Sequence, residues 1–284
     1  MLSWLIRYWD IPFHNYNYSY VDNALSHGYH TLSYDRLGLG NSSHGDPKNE
    51  IQSFLELAAL ARLTEMVRQG SFPCAPLQQN MPTKVVHVGH SFGSGLTYAL
   101  SAMYPHLTDG IVLTGFSMNT SFTPYFLAGA NFHQAHTLLS KDNSNSSYYP
   151  PGYLVSSNTN ANEFLFFYPP YFDRNILAFA EQNKKPVTIG ELLTMSSVPM
   201  QSPFAGPVLI ITGDHDMPFC GGDCSNTGGA AASIPAMGQM AFPDAKSFEA
   251  YVQPNMGHGL NLHYNATAAY DYVAGFLGRS GLSA

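Results

Sequence analysis

The sequence predicts an α/β fold in which a mostly parallel sheet is flanked by helices. Between His30 and Phe116, apolar runs of strand length alternate with segments whose apolar residues recur at helical spacing. Such alternation is typical of parallel sheets, because the crossover between parallel strands is usually a helix. The chain has 284 residues, 45% of them hydrophobic, which suits one domain that carries an insertion.

The individual elements follow from apolar runs and turn residues. The most distinct helix is Glu50–Gln69, where apolar side chains share one face and Gly70 ends the pattern. The predicted strands are His30–Tyr34, Lys84–Val88, Gly110–Phe116, Pro207–Thr212 and Ser247–Val252. The other helices predicted around the sheet are Tyr20–Ser26, Ser94–Met103, Gly229–Met240 and Ala266–Leu277.

The stretch between the third and fourth predicted strands has a different character. Residues 117–203 are rich in Tyr, Phe, Pro, Asn and Ser and contain no run typical of a strand. Helices are predicted around Tyr125–Ser140, Asn175–Asn183 and Ile189–Met195. We therefore divide the chain into a core, residues 1–116 and 204–284, and a helical cap insertion, residues 117–203. Most aromatic residues of the cap are expected to pack on the core.

A Gly-x-Ser-x-Gly motif, Gly89-His90-Ser91-Phe92-Gly93, joins a predicted strand to a predicted helix. A serine on so sharp a turn adopts a strained backbone, and the flanking glycines remove Cβ atoms that would collide with the strand and the helix. The following helix directs its free N–H groups toward the place where an oxyanion would form. A tight turn in a nucleotide-binding sheet is the alternative interpretation of the motif.

Three chemically suited side chains follow three different predicted strands. Ser91 comes first, an acid at Asp214 or Asp216 follows the fourth strand, and His258 follows the last. Because the carboxyl ends of parallel strands lie along one edge of a sheet, these residues are expected to meet in space. A serine whose proton is removed by an imidazole, itself oriented by a carboxylate, is the arrangement of nucleophilic serine catalysis. His263 lies too far into the next segment to be the base.

These motifs resemble those of the α/β-hydrolase superfamily, in which the serine, the acid and the histidine occur in this chain order. The resemblance runs from about Val21 to the C-terminus, and the aromatic, Asn-rich texture is most similar to uncharacterised extracellular fungal members. Four motifs carry it: Gly89-His90-Ser91-Phe92-Gly93, Tyr34-Asp35-Arg36-Leu37-Gly38-Leu39-Gly40-Asn41-Ser42, Gly213-Asp214-His215-Asp216 and Gly257-His258-Gly259.

The resemblance implies the α/β-hydrolase fold and a role for each motif residue. Ser91 would be the nucleophile, His258 the general base and then acid, and Asp216 the orienting carboxylate, with Asp214 as second choice. The backbone N–H of Phe92 would be an oxyanion donor. The Asp35-Arg36 pair would be structural.

The resemblance also indicates that N-terminal strands of the family are missing. The family's second oxyanion donor follows a strand that precedes His30–Tyr34, usually at a His-Gly pair. Only Met1–Asp10 lies in that place, and it lacks such a pair. Three possibilities are open: Leu2–Ile6 forms a substitute strand, the neighbouring strands close up, or the chain is a fragment of a longer gene product, which we favour.

The function favoured by the resemblance is that of a serine hydrolase acting on an ester, lactone or thioester of a small apolar molecule held under the cap. Loss of one oxyanion donor costs about 10²–10³ in rate, so a weakened activity is expected. The alternatives are a non-catalytic relative that binds a hydrophobic molecule, and cofactor-free lyase or perhydrolase chemistry. No cofactor is expected, and NAD binding at Gly38-Leu39-Gly40 is disfavoured because no helical pattern follows that loop. Substrate-binding residues are not predicted.

Composition restricts the partners. The net charge is −7 and no basic cluster occurs, which argues against nucleic acid or an anionic membrane. No apolar run is long enough to span a bilayer. His133 and His136 lack a third ligand, so no metal site is expected. The expected partner is a small-molecule substrate, and the oligomeric state is open.

Cysteines and glycosylation sequons indicate the cellular compartment in which the protein is expected. Cys220 and Cys224 are separated by Gly-Gly-Asp and could close a disulfide, with a zinc site as the weaker alternative. Together with the sequons they favour a secreted glycoprotein, although Met1–Asp10 does not resemble a signal peptide. The Asn-x-Ser/Thr sequons lie at Asn17, Asn41, Asn119, Asn145 and Asn265.

Overall fold

The computed structural model describes residues 6–14, 17–73, 82–139 and 149–283. Its strands are Val86–His90 (β1), Gly110–Thr114 (β2), His133–Gln134 (β3), Tyr153–Val155 (β4), Val187–Thr188 (β5), Pro207–His215 (β6) and Ser247–Gly257 (β7). Its α-helices are Ile6–Trp9 (α1), Tyr20–Ser26 (α2), Ser53–Arg68 (α3), Phe92–Met103 (α4), Thr123–Ala130 (α5), Ala135–Leu138 (α6), Thr159–Phe166 (α7), Arg174–Gln182 (α8), Ile189–Thr194 (α9), Met217–Cys220 (α10) and Ala266–Arg279 (α11).

The main sheet has four parallel strands in the order β1-β2-β6-β7, which confirms the predicted α/β fold. The apolar runs of β2 and β6 are buried on both faces of the sheet, as is usual for parallel strands covered by helices. Their residues alternate between the two faces. Val112, Leu209 and Ile211 belong to the same core cluster as the buried side of α11, whereas Ile111 and Ile210 belong to the cluster around Tyr98 and Phe242 on the other face.

All four carboxyl ends therefore meet at one edge of this sheet. β1 leads directly into Ser91 and α4, β6 ends next to Asp216, and β7 ends next to His258. Along the β6–β7 pair the register shifts between Gly213 and His215, so that His215 pairs with Gly257. This irregularity places the segments that follow the two strands side by side.

The segment between β2 and β6 contains strands as well as helices, so the expectation that it holds no strand is wrong. It contains an antiparallel sheet in the order β3-β4-β5, whose strands are only two or three residues long. Strands so short leave no alternating pattern to detect. The helix predicted over Tyr125–Ser140 is broken into α5 and α6, because Asn131 adopts a left-handed conformation with φ 43° that ends α5. Ser140 lies outside the described residues, and α7 was not predicted.

The strand prediction for His30–Tyr34 is also wrong, since these residues belong to no strand or sheet. Within the described residues β1 pairs only with β2 and forms the edge of the main sheet. A cavity of about 580 Å³ is lined both by β1 and by residues 28–34. A strand requires a neighbour to complete its hydrogen bonds, and the described part of the chain places no strand there.

Two further expectations concern short segments. The helix predicted at Gly229–Met240 is instead a 3₁₀ helix, Pro235–Ala241, preceded by turns. Glycines at 228 and 229 are poor helix formers, and Pro235 has no N–H to continue an α-helical ladder. Of the three possibilities for the N-terminal segment, a substitute strand at Leu2–Ile6 is contradicted at Ile6, which begins α1, and its other residues lie outside the described part. The helices described here include none that is long and apolar enough to cross a membrane.

Candidate active site

Ser91 lies on the sharp turn between β1 and α4, with φ 55° and ψ −119°. This conformation is strained for a residue with a side chain, and it is held by two backbone hydrogen bonds. The Ser91 N–H donates to the Thr114 carbonyl at 2.9 Å, and the Gly95 N–H donates to the Ser91 carbonyl at 3.1 Å. A Cβ atom at Gly89 would lie 2.4 Å from the Gly93 carbonyl oxygen, so the turn requires glycine there.

His258, which follows β7, lies between Ser91, which follows β1, and Asp216, which follows β6. Its Nε2 lies 2.8 Å from Ser91 Oγ, and its Nδ1 lies 2.9 Å from Asp216 Oδ2. Since Nδ1 faces a carboxylate, it carries the ring proton, and Nε2 is the acceptor for the serine hydroxyl. The His258 and Asp216 side chains are fully buried, whereas 9% of the Ser91 surface is exposed.

Asp216 is held by three donors. Its Oδ1 accepts from the Phe219 N–H at 2.9 Å, and its Oδ2 accepts from the Thr212 hydroxyl as well as from His258. The carboxylate therefore caps α10 at the same time as it orients the imidazole. Sequence reasoning did not find Thr212, because a threonine inside an apolar strand gives no signal of its partner.

Asp214, the second choice for the acid, lies against a different part of the chain. Its Oδ2 accepts from the Asn255 N–H and its Oδ1 from the Met256 N–H, both at 3.0 Å. His215 Nδ1 also lies 2.8 Å from Asp214 Oδ1. Asp214 thus ties the end of β6 to the end of β7, and the structure places Asp216, not Asp214, against His258.

The loop that follows Asp216 is closed by a disulfide between Cys220 and Cys224. Both cysteines are buried, and the Cys224 N–H donates to the Asp214 carbonyl at 3.0 Å. The loop is thereby attached to the end of the strand that supplies the acid. With their sulfur atoms bonded to each other, these cysteines do not form the alternative zinc site. More broadly, the described ranges contain no group of three or more His, Cys, Asp or Glu residues placed to hold a metal ion.

Aromatic rings surround the imidazole of His258. The ring centroids of Phe166 and Phe219 each lie 5.7 Å from that of His258, and the centroid of His90 lies 4.9 Å away. Gly115, with φ +53°, leaves room for this arrangement, since a Cβ atom there would lie 2.4 Å from His90 Cε1 and 3.1 Å from His258 Cε1. The base therefore lies in a largely apolar environment, which strengthens its hydrogen bonds to Ser91 and Asp216.

His90, the residue before Ser91, forms side-chain hydrogen bonds that help to hold the turn. Its Nδ1 lies 3.0 Å from Thr114 Oγ1 and 3.2 Å from the Tyr8 hydroxyl oxygen. Burial lowers the pKa of His90 well below its usual value, and the neighbouring His258 acts in the same direction. His90 is thus neutral, and it joins α1 and β2 to the turn that carries Ser91.

Phe92, the predicted oxyanion donor, is the first residue of α4. Its backbone N–H has no acceptor among the described residues, as expected for the first N–H of a helix. Its ring lies under the Arg36 guanidinium, whose carbon is 4.5 Å from the ring centroid. Arg36 pairs with the buried carboxylates of Glu56 and Glu191, so the predicted structural role of Arg36 includes support of Phe92.

Neutral buried histidines make stability depend on pH, and His87 and His263 are two of them. Burial lowers the pKa of His87 and of His263 from 6.5 to about 4. Between these values the unfolded chain binds protons that the folded chain does not, so the free energy of unfolding falls as the pH drops from 6.5 toward 4.

We expect His87→Gln to flatten this dependence by up to about 1.4 kcal/mol per pH unit, since one titrating group is removed. Urea unfolding of the variant and the wild type at pH 4.5, 5.5 and 7 measures the difference. Parallel curves across that window would contradict the assignment of His87 as neutral in the folded state.

Comparison with known proteins shows the family to which this chain belongs. The chain matches the alpha/beta hydrolase family over residues 4–270, and it belongs to that family. No match was found among curated protein sequences.

Solved structures share the fold at low sequence identity. A methylesterase from Arabidopsis is 14% identical with a TM-score of 0.58, covering 92% of this chain and 93% of its own. Tomato methylketone synthase I in complex with 2-tridecanone is also 14% identical, with a TM-score of 0.58 and coverage of 92% of both chains. A metagenome-derived lipolytic enzyme is 12% identical with a TM-score of 0.54, covering 92% of this chain and 86% of its own.

Proposed function

We propose that the protein is a serine hydrolase that cleaves an ester, lactone or thioester of a small apolar molecule. The observation that carries this proposal is the continuous path of hydrogen bonds from Ser91 Oγ through His258 to Asp216, at 2.8 and 2.9 Å. Such a path converts a weakly nucleophilic hydroxyl into an effective nucleophile. Membership of the alpha/beta hydrolase family supports the same class of chemistry.

In the proposed reaction, Ser91 Oγ attacks the carbonyl carbon while His258 Nε2 removes the hydroxyl proton. Asp216 stabilises the imidazolium, and the Phe92 N–H donates to the oxyanion. Collapse of the tetrahedral intermediate expels the alcohol or thiol, which takes the proton from Nε2 and leaves an acyl group on Ser91. A water molecule, deprotonated by the same nitrogen, then attacks the acyl carbon. The bond from this carbon to Ser91 Oγ breaks, Oγ takes the proton back from Nε2, and the carboxylic acid is released.

The surroundings of the serine support a small and apolar substrate. The rings of Phe166 and Phe219 flank His258, so a group bound beside the base meets hydrocarbon surface. Only 9% of Ser91 is exposed, which leaves little of the serine accessible to a bulky molecule. Short-chain p-nitrophenyl esters and a small fluorophosphonate are therefore suitable probes.

Ser91→Ala is expected to abolish covalent labelling by a fluorophosphonate and to lower hydrolysis of p-nitrophenyl acetate and butyrate at least about 10⁴-fold, because the nucleophile is removed. Mass spectrometry of the labelled wild type should place the adduct on Ser91. The matched control is Ser94→Ala, a buried serine of the same helix whose hydroxyl donates to the Thr114 carbonyl at 2.8 Å. The Ser94→Ala variant should still be labelled by the fluorophosphonate.

The result that would overturn this proposal is a folded wild-type protein that neither labels nor hydrolyses these esters. Binding of a hydrophobic fluorescent ligand that is equal in wild type and Ser91→Ala would then favour the non-catalytic alternative.

A further inference from the structure

His263 is a fully buried histidine that takes no part in the proposed reaction. Its Nδ1 lies 2.9 Å from the Gly259 carbonyl oxygen, so this nitrogen carries the proton and donates it. The other nitrogen, Nε2, is therefore an acceptor, and two backbone N–H groups point at it. The Gly257 N–H and the Tyr168 N–H each donate to Nε2 at 3.0 Å.

Two of these three bonds reach the immediate neighbours of His258. Gly257 precedes the catalytic histidine and Gly259 follows it, and one imidazole holds the backbone on both sides. Glycine is the least restrained residue, so a loop of this composition needs outside support to keep one conformation. His263 gives that support to the backbone of the loop, while Asp216 orients the imidazole of His258.

The third bond connects the loop to the segment inserted between β2 and β6. Tyr168 belongs to that segment, as does Phe166, whose carbonyl accepts from the Gly259 N–H at 2.8 Å. The ring of Phe166 also lies beside the imidazole of His258. Phe166 therefore contacts the imidazole of His258 through its ring and the loop that carries His258 through its carbonyl.

We propose that His263 is a positioning residue, which holds the loop of His258 in register with Ser91 and couples it to the inserted segment at Phe166–Tyr168. This inference rests on the proposed function for its effect on the reaction, but the hydrogen bonds themselves are testable without activity. A neutral imidazole suits the role because it accepts at one edge and donates at the other. Displacement of a catalytic group by about 1 Å costs on the order of 10² in rate.

The test compares His263→Ala and His263→Gln with a control pair at His87. The glutamine amide reaches the position of Nε2 and can accept from Gly257 and Tyr168, whereas alanine accepts from neither. His87 is a matched control, since it is also neutral and makes two side-chain hydrogen bonds, at 2.9 Å to Thr64 and Thr108, away from the catalytic loop.

We expect His263→Ala to slow fluorophosphonate labelling of Ser91 about 10²-fold and to lower kcat far more than it raises KM. His263→Gln should recover most of the rate, and His87→Ala should label like the wild type. Hydrogen exchange of the Gly257 and Tyr168 amides should become faster in His263→Ala and not in His87→Ala. If the alanine variant does not fold, His263→Asn, whose amide reaches only the position of Nδ1, gives the same comparison.

A folded His263→Ala that labels at the wild-type rate would overturn the inference, even if its amides exchange faster. Equal loss of rate in His263→Ala and His87→Ala would also overturn it, because a general loss of stability would then explain both. If the wild type itself fails to label, the proposed function fails, and the exchange of the Gly257 and Tyr168 amides alone decides whether His263 holds the loop.

Discussion

Asp216→Asn is expected to lower kcat for ester hydrolysis about 10⁴-fold with little change in KM. The carboxylate accepts a hydrogen bond from the Nδ1–H of His258 at 2.9 Å, which keeps the proton on Nδ1 and leaves Nε2 free to accept from Ser91. An asparagine at this position can donate to Nδ1, which moves the ring proton to Nε2 and removes the base. Steady-state kinetics with p-nitrophenyl butyrate measure the effect, and near-UV circular dichroism checks that the fold is retained.

The matched control is Asp214→Asn, two residues earlier, near the end of β6. Asp214 accepts from the backbone of Asn255 and Met256 and does not contact His258. Its amide variant can keep only part of these bonds, so we expect a loss of about 1–3 kcal/mol in stability and a much smaller loss in kcat. A larger loss of activity in Asp214→Asn than in Asp216→Asn would contradict the assigned acid.

Gly89→Ala is expected to destabilise the protein by about 3 kcal/mol or more, because the added Cβ cannot be accommodated. It would lie 2.4 Å from the Gly93 carbonyl oxygen and 2.6 Å from the Ser94 nitrogen, and both are backbone atoms that cannot rotate away. Separation of β1 from α4 would relieve the contact only by moving Ser91. Urea unfolding and the yield of folded protein measure the effect.

A second glycine close by serves as the comparison. A Cβ atom at Gly95 would meet nothing within 4 Å, and this residue lies within α4. Gly95→Ala should therefore stabilise the protein by up to about 1 kcal/mol, because alanine is the better helix former. Equal stability of the two variants would show that the turn between β1 and α4 tolerates a side chain at Gly89.

The α/β architecture and the convergence of Ser91, Asp216 and His258 were predictable because they depend on local signals. Apolar runs show where the parallel strands lie, and a parallel sheet places the residues after its strands along one edge. The choice between Asp214 and Asp216 was not predictable from these signals alone, since both acids follow the same strand. Only the shift in register between Gly213 and His215 and the capping of α10 determine which carboxylate faces His258.

The errors in the strand predictions have a common physical cause. Residues His30–Tyr34 have the composition of a strand, but a strand exists only through its hydrogen-bonded neighbour. The short strands β3, β4 and β5 are likewise defined by their pairing and not by their residues. Long-range partners of this kind leave no periodic pattern in the sequence.

The sequence by itself determined the order of the main elements, the strained serine turn and the residue types of the candidate site. These follow from backbone sterics and apolar spacing within a few residues of each position. The tertiary structure decided which acid orients His258, how Phe166 and Phe219 surround it, and how His263 holds its loop. Those contacts join segments far apart in the chain, and they form only when the sheet brings its strand ends together.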